Sequence, residues 1–233
     1  MLDYRPFNSL GQFNYDWLAA RYHFSFSDYF DQSRMNWGPL RVWNDDTIQA
    51  QSGFPTHGHR DMEIITYVRK GAISHADSLG NKGRTEAGQV QVMSAGSGIQ
   101  HSEMNLEYDP TTLFQIWIMP NQRGLKPRWE TRNLPTDENG RFIPLVSGQG
   151  IPDTMPIAQD ASLYVAHLAA GQTVEHAIGK DRLGYLVGFN GMVEVDGIQI
   201  NNRDGLAIKD LDVLKLTAKG DASVLLADLP AGI

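Results

Sequence analysis

The sequence predicts an all-β protein whose short strands build β-sandwiches or barrels. Two observations indicate this class. The chain has 23 glycines, and they recur between short apolar runs, as at Gly71, Gly80 and Gly88. The runs themselves are short and alternating, as in residues 63–68 and 88–93. Short strands with frequent turns are typical of sandwiches and barrels.

Individual segments support this class. Residues 114–119 are apolar throughout except for one glutamine, which predicts a buried strand that ends at Pro120. Residues 193–200 predict a β-hairpin around the turn Asp196-Gly197. Long amphipathic helices are scarce, but residues 14–22 carry apolar side chains at helical spacing and predict one short helix.

The chain is expected to fold as two halves. Its middle, residues 135–150, contains Asp, Glu, Asn, Gly and Pro without sustained periodicity, and the following part repeats the pattern of short strands. We therefore expect an N-terminal domain in residues 1–134, a linker region in residues 135–155 and a C-terminal domain in residues 156–233.

Composition excludes several function classes. The formal net charge is -7 and no block of Lys and Arg stands out, so direct nucleic-acid binding is not expected. The absence of cysteine excludes disulfides, thiolate metal sites and cysteine nucleophiles. No run approaches the ~20 apolar residues that span a bilayer, and no secretory signal is visible. We expect a cytoplasmic protein without membrane contact.

Two short motifs predict a metal site. His57-Gly58-His59 and His101-Ser102-Glu103 both place ligand-type side chains two residues apart. Residues at that spacing on a strand face the same side, so two such pairs can converge on one ion. Three imidazoles and a carboxylate suit iron, zinc, nickel, copper or manganese better than calcium or magnesium. An ion that accepts five or six ligands keeps open positions for chemistry.

The remaining histidines are expected to be structural. A lone His-x-His pair is common on surface strands, and single histidines are weaker signals still. His23 is expected to pack in the core, although it lies on a strand that can border the site. His75 is expected to pair with Asp77, and His167 and His176 have no evident partners in sequence.

The motifs resemble the pirin family of the cupin superfamily. The strings that carry the resemblance are residues 24–26, 40–46, 53–63, 75–81 and 93–103. Together they extend over roughly residues 22 to 120 and form a specific joint pattern. The similarity is greatest to the short bacterial pirin-like proteins that are named quercetin 2,3-dioxygenases.

This resemblance implies a bicupin, with two β-barrel domains of the double-stranded β-helix or jelly-roll type. It implies that His57, His59, His101 and Glu103 hold one metal ion in the N-terminal barrel. The C-terminal cupin is expected to be degenerate and to hold no metal. Where it would need a His-x-His pair, only His176 remains.

The carboxylate ligand has a second candidate. In many cupins the glutamate of the first motif binds the metal, and Glu63 holds that position here. Glu63 lies four residues after His59, so a regular strand turns both to one face. In the pirin pattern Glu103 takes this role. We therefore assign Glu103 to the metal and expect Glu63 to support the site or the core.

The resemblance implies a metal-dependent dioxygenase that opens the heterocyclic ring of a flavonol such as quercetin, using dioxygen and releasing carbon monoxide. The substrate's 3-hydroxyl would bind the metal, and Glu103 would accept its proton. We expect one divalent transition metal per chain, iron first, with zinc, nickel, copper, manganese and cobalt as alternatives. The apolar slot for a flat substrate has five aromatic or methionine candidates, most of which are expected to serve the core instead: Phe24, Phe26, Phe54, Met93 and Trp117.

Two other functions stay open. Pirins of larger organisms are linked to transcription factors, which implies a regulatory or redox-sensing metal protein as the alternative. A metal-dependent enzyme with a different physiological substrate is the other. The sequence reveals no surface for a protein partner. We expect a monomer, because the two halves of a bicupin already pack on each other.

Overall fold

The computed structural model describes residues 1–134 and 140–232, and this part of the chain is all-β, as predicted. Its only helices are two 3-10 turns, Phe7–Ser9 and Gln32–Arg34, and no helix in the described residues is long and apolar enough to span a bilayer. The strands of the first half are β1 (Leu2–Arg5), β2 (Gly11–Tyr15), β3 (Leu18–Tyr22), β4 (Leu40–Ile48), β5 (Ser52–His59), β6 (Glu63–Lys70), β7 (Ala72–Asp77), β8 (Lys82–Glu86), β9 (Gln89–Ser94), β10 (Ile99–Asn105), β11 (Thr111–Ile118) and β12 (Arg128–Asn133). Those of the second half are β13 (Ile143–Ser147), β14 (Met155–Pro156), β15 (Ser162–Leu168), β16 (Thr173–Ala177), β17 (Arg182–Asn190), β18 (Val193–Val195), β19 (Ile198–Ile200), β20 (Gly205–Lys209), β21 (Val213–Ala218) and β22 (Ala222–Pro230).

These strands form two pairs of sheets. The first pair has the strand orders β12-β9-β6-β11-β4-β3-β2 and β5-β10-β7-β8. The second pair has the orders β1-β20-β17-β22-β15-β13-β14 and β16-β21-β18-β19. Each half therefore combines one seven-stranded and one four-stranded sheet, and the repeated pattern of short strands in the sequence corresponds to this repeated arrangement.

The two seven-stranded sheets pack on each other through the largest hydrophobic core. It joins side chains from both halves, among them Trp43, Phe114 and Tyr185, which are fully buried. Strand β17 shows how alternation serves two cores at once. Tyr185 and Val187 face this shared core, whereas Leu186 between them faces the core inside the second half.

The amino-terminal strand extends the sheet of the other half. Strand β1 pairs with β20, with Leu2 opposite Ile208 and Arg5 opposite Gly205. The first five residues thus add a strand to the second half, and the chain then continues into the first half. This strand and the shared core tie the two halves into one body.

The helix predicted for residues 14–22 was wrong. This segment is a hairpin in which Tyr15 pairs with Leu18 across the two intervening residues. Leu18, Ala20 and Tyr22 are buried and alternate with less buried neighbours. The period of two is the pattern of a half-buried strand, and it outweighs the helical spacing that the same apolar residues also fit.

The hairpin predicted at Asp196-Gly197 is confirmed, since β18 and β19 pair around it with Val195 opposite Ile198. Both turn residues have positive φ, 46° and 79°, as a two-residue hairpin turn requires. Residues 135–139 of the expected linker lie outside the described residues. Farther along that region, β13 pairs with β15 as part of the second seven-stranded sheet. The division into two domains stays a prediction.

A buried carboxylate connects the halves electrostatically. Asp45 on β4 is fully buried and forms ion pairs with Arg69 on β6 and with Arg203, 2.5 Å away in the second half. The Arg69 guanidinium also lies 4.3 Å from the centre of the Phe114 ring. A buried charge of this kind depends on its partners, because a lone charge in a dry interior is strongly unfavourable.

We expect Asp45→Asn to lower the free energy of unfolding by about 3–5 kcal/mol, because it leaves the largely buried Arg69 without its counter-charge. Urea denaturation followed by tryptophan fluorescence measures this change. The matched control is Glu86→Gln, which breaks an exposed ion pair with Arg84. That variant should lose no more than ~1 kcal/mol. Equal losses in the two variants would contradict the role given to Asp45.

Candidate metal centre and its cavity

Strand pairing brings the two predicted motifs together. Strands β5 and β10 are antiparallel neighbours, with His101 directly opposite His57 and Ile99 opposite His59. The pairing register shifts between His101 and Glu103, which marks a bulge or irregularity in β10. Bulges of this kind occur next to functional sites, where they redirect a side chain. The pairing of these two strands thus brings the two i, i+2 motifs of the sequence side by side.

The three histidines form a compact group. One ring nitrogen of each of His57, His59 and His101 lies within 4.8 Å of the others. The ring centroids are 4.5 Å apart for His57 and His101, 4.8 Å for His57 and His59, and 5.0 Å for His59 and His101. His101 is buried and the other two are partly exposed. This is the group that could hold a metal ion.

Hydrogen bonds leave imidazole lone pairs available. The Nδ1 atom of His57 donates to the Pro55 carbonyl at 2.8 Å, so its Nε2 atom carries a lone pair. The Nε2 atom of His101 is buried without a hydrogen-bond partner in the described residues. A buried polar atom without a partner is unfavourable, and an ion coordinated there would satisfy it. The group therefore fits a transition metal that prefers imidazole ligands.

Burial keeps two of these three histidines neutral. It lowers the pKa of His59 to about 4, with the charge of His57 adding to the effect. It lowers the pKa of His101 to about 3, with His57 and His59 adding to it. Both imidazoles are thus neutral at pH 7. Only the neutral form can bind a metal, so the buried setting prepares these side chains for one.

Glu103 lies on the wall of the same cavity but outside the three-histidine group. Its carboxylate accepts hydrogen bonds from Gln91 at 2.7 Å, Gln115 at 2.6 Å and Thr66 at 3.4 Å. Burial raises the pKa of Glu103 to about 7, and these three hydrogen bonds only partly oppose the rise. A carboxyl group that titrates near neutrality is suited to move a proton.

Glu63 has a different environment. It is buried on β6, where one carboxylate oxygen accepts a 2.5 Å hydrogen bond from the Ser94 hydroxyl. Burial raises its pKa, and the bond from Ser94 lowers it in part. Of the two carboxylates considered from the sequence, Glu103 is the one that lines the cavity beside the histidines.

A largely apolar cavity of about 340 Å³ opens beside the histidines. That volume is within the ~300–1,000 Å³ of small-molecule pockets. Three of the five expected slot residues line it, whereas Phe24 and Met93 pack in the cores instead. The full lining is Leu18, Tyr22, Phe26, Asn44, Asp46, Phe54, Pro55, Thr56, His57, His59, Glu103, Gln115 and Trp117.

Besides Glu103 and the histidines, the polar residues of this cavity were not predicted from the sequence. Asn44 and Asp46 on β4 share one face, and each has a side-chain oxygen, Oδ1, that is buried without a partner in the described residues. Burial raises the pKa of Asp46 well above its usual value, with the negative charges of Asp45 and Glu103 adding to the rise. The available signal was the run of three polar residues 44–46 directly after the apolar Val42 and Trp43, since such a run is unusual in a largely buried strand.

The other four histidines lie outside this three-histidine group, each with a hydrogen-bond partner. His23 is fully buried and hydrogen-bonds the Tyr185 hydroxyl at 2.9 Å, so the expectation of a packed core histidine is confirmed. His75 bonds Asp77 at 3.0 Å, which confirms that predicted pair. In the second half, His176 bonds Asp228 at 2.8 Å, and His167 bonds Ser223 at 2.9 Å.

Comparison with known proteins agrees with this arrangement. Residues 4–118 match the pirin family, and residues 144–229 match the quercetinase C-terminal cupin domain. The quercetin 2,3-dioxygenase of Escherichia coli K12 is 39% identical over 235 residues, covering 99% of both chains. A second relative, from Pseudomonas aeruginosa, is named a quercetin 2,3-dioxygenase only provisionally. It is 55% identical over 231 residues, which cover 98% of this chain and 100% of the relative.

The solved structures include a close match. The bacterial pirin YhhW of Escherichia coli, in complex with nickel(II), superposes with a TM-score of 0.95 at 39% identity, and each chain is covered completely. With the family match over residues 4–118 and relatives of more than 50% identity along nearly the whole chain, the protein belongs to the pirin family of the cupins.

Proposed function

We propose that this protein is a metal-dependent dioxygenase that opens the heterocyclic ring of a flavonol such as quercetin. One observation carries the proposal. A group of three convergent histidines and a buried carboxyl group lie at one apolar cavity of small-molecule size. The names of the relatives from Escherichia coli and Pseudomonas aeruginosa support the same activity.

In this proposal His57, His59 and His101 hold one divalent ion, iron in the first instance, and Glu103 completes the ligand set. Each carboxylate oxygen has two lone pairs, so Glu103 can bind the ion and keep its hydrogen bonds from Gln91 and Gln115. When bound, the ion would supply positive charge, which lowers the pKa of a substrate hydroxyl, and it would also supply open coordination positions for dioxygen chemistry.

Glu103 then serves as the proton acceptor for the flavonol 3-hydroxyl. Burial raises the pKa of this carboxyl to about 7 in the metal-free protein, and the positive charge of a bound ion would favour its ionised, proton-accepting form. The amide groups of Gln91 and Gln115 fix both carboxylate oxygens. A fixed carboxylate needs no rearrangement before it accepts the proton.

The aromatic walls hold the flat rings of the substrate. Phe26 meets Trp117 edge to face at 5.4 Å between centroids, and Trp117 in turn meets the His59 ring at 4.9 Å. Phe54 lies 6.3 Å from the His57 ring. These side chains exclude water from the reacting face and leave Asn44 and Asp46 to accept or donate hydrogen bonds to substrate oxygens.

We expect His59→Ala to lose most bound metal, because it removes one of three convergent imidazoles. Emission spectrometry on the purified protein measures the ions bound per chain. The matched control is His176→Ala, which removes a histidine that bonds a carboxylate in the second half and should leave metal content unchanged. Wild-type stoichiometry in His59→Ala would refute the site.

We expect the metal-loaded protein to consume quercetin and oxygen and to release carbon monoxide. The assay follows the loss of quercetin absorbance and measures the gas, after loading with iron, copper, nickel, manganese or cobalt in turn. Glu103→Gln should lower kcat by about 10²–10⁴-fold, since that is the range of general-base catalysis. Glu63→Gln, a carboxylate removed outside the cavity, should stay near the wild-type rate.

The outcomes separate the competing functions. No turnover with any of the five metals, in a protein that binds one ion per chain, would refute the dioxygenase and leave a regulatory metal protein or another substrate. Turnover that survives Glu103→Gln intact would keep the activity but refute the role of that carboxylate.

A further inference from the structure

A second pair of side chains lies directly behind His101. Strand β7 pairs with β10 on the side away from β5, with Asp77 opposite His101 and His75 opposite Glu103. The Nε2 atom of His75 lies 3.0 Å from a carboxylate oxygen of Asp77. The Nδ1 atom of His75 lies 3.5 Å from the Nδ1 atom of His101. The side chains of His75 and Asp77 have no exposed area.

The positions of the protons in the series Asp77, His75 and His101 can be assigned by starting from the Asp77 carboxylate. A carboxylate accepts only, so the Nε2 atom of His75 must carry a proton toward Asp77. In a neutral imidazole the other nitrogen then has a lone pair, so the Nδ1 atom of His75 is an acceptor. The His101 atom that faces it, Nδ1, must therefore be the donor. This leaves the lone pair of His101 on Nε2, the buried atom without a partner.

The chain of contacts is held in place from outside. Asp77 accepts hydrogen bonds from the backbone N–H groups of Leu79 and Asn81, at 2.9 and 3.0 Å, and from the Asn81 side chain at 2.9 Å. The His75 ring stacks on Trp129, with centroids 4.7 Å apart and an angle of 8° between the planes. Because the carboxylate and the ring are both fixed, His75 keeps one orientation.

We propose that Asp77 and His75 are positioning residues that hold His101 as the Nδ1–H tautomer, so that its Nε2 lone pair is directed to the metal ion before the ion arrives. The inference rests on the metal site of the proposed function and is independent of the substrate. Contacts that fix the tautomer of a ligand histidine typically change metal affinity by ~10–100-fold.

The metal-free protein gives the direct test. Long-range ¹H–¹⁵N correlation spectra of histidine-labelled protein distinguish a protonated from an unprotonated ring nitrogen. We expect His101 to be protonated on Nδ1 and His75 on Nε2. His75→Phe keeps a ring against Trp129 and removes the acceptor, so the His101 proton should shift toward Nε2.

Metal affinity gives a second readout, by competition with a chromophoric chelator for nickel(II). We expect His75→Phe to weaken binding by about 10–100-fold. His75→Asn places a carbonyl oxygen near the former Nδ1 position and should recover part of the loss. The matched control is His176→Phe, which removes the other histidine paired with a carboxylate and should change neither the His101 tautomer nor the affinity.

Two results would overturn the inference. One is a His101 that carries its proton on Nε2 in the wild-type metal-free protein. The other is a folded His75→Phe protein with unchanged tautomer and affinity. Neither result bears on flavonol turnover, so failure of this inference and failure of the dioxygenase proposal are distinguishable.

Discussion

The antiparallel pairing of β5 with β10 brings together the three histidines on which the candidate site depends. It places His101 opposite His57 and turns two motifs more than forty residues apart in sequence into one cluster. The same strand carries Glu103 past a bulge to the cavity wall. The pairing of β10 with β7 on its other side supplies His75 behind the cluster. A one-residue slip in either register would turn these side chains to the opposite face.

Burial then determines the chemistry that these positions can support. It keeps His59 and His101 neutral and ready to bind a metal, and it raises the pKa of Glu103 to about 7. The shared core of the two seven-stranded sheets and the Asp45 ion pairs hold the N-terminal half against the second half. The second half thus stabilises the N-terminal half that carries the candidate metal site. Its own His176 forms a hydrogen bond with the carboxylate of Asp228.

Much of this arrangement could be predicted from sequence, because it depends on local spacing. The i, i+2 motifs identified the three histidines, and the Asp196-Gly197 turn identified a hairpin. The helix expected for residues 14–22 failed, since apolar residues in a short segment can fit periods of both 3.6 and two. The glutamines around Glu103 come from β9 and β11, and only the long-range pairing of those strands reveals that they meet it.

We propose that one transition-metal ion binds to three histidines in the N-terminal half. Anomalous diffraction from a crystal of the iron-loaded protein, measured on both sides of the iron edge, tests it most directly. We expect one strong peak per chain, about 2.1 Å from a ring nitrogen of each of His57, His59 and His101. A map without a peak at that position, or with its strongest peak beside His176, would contradict it.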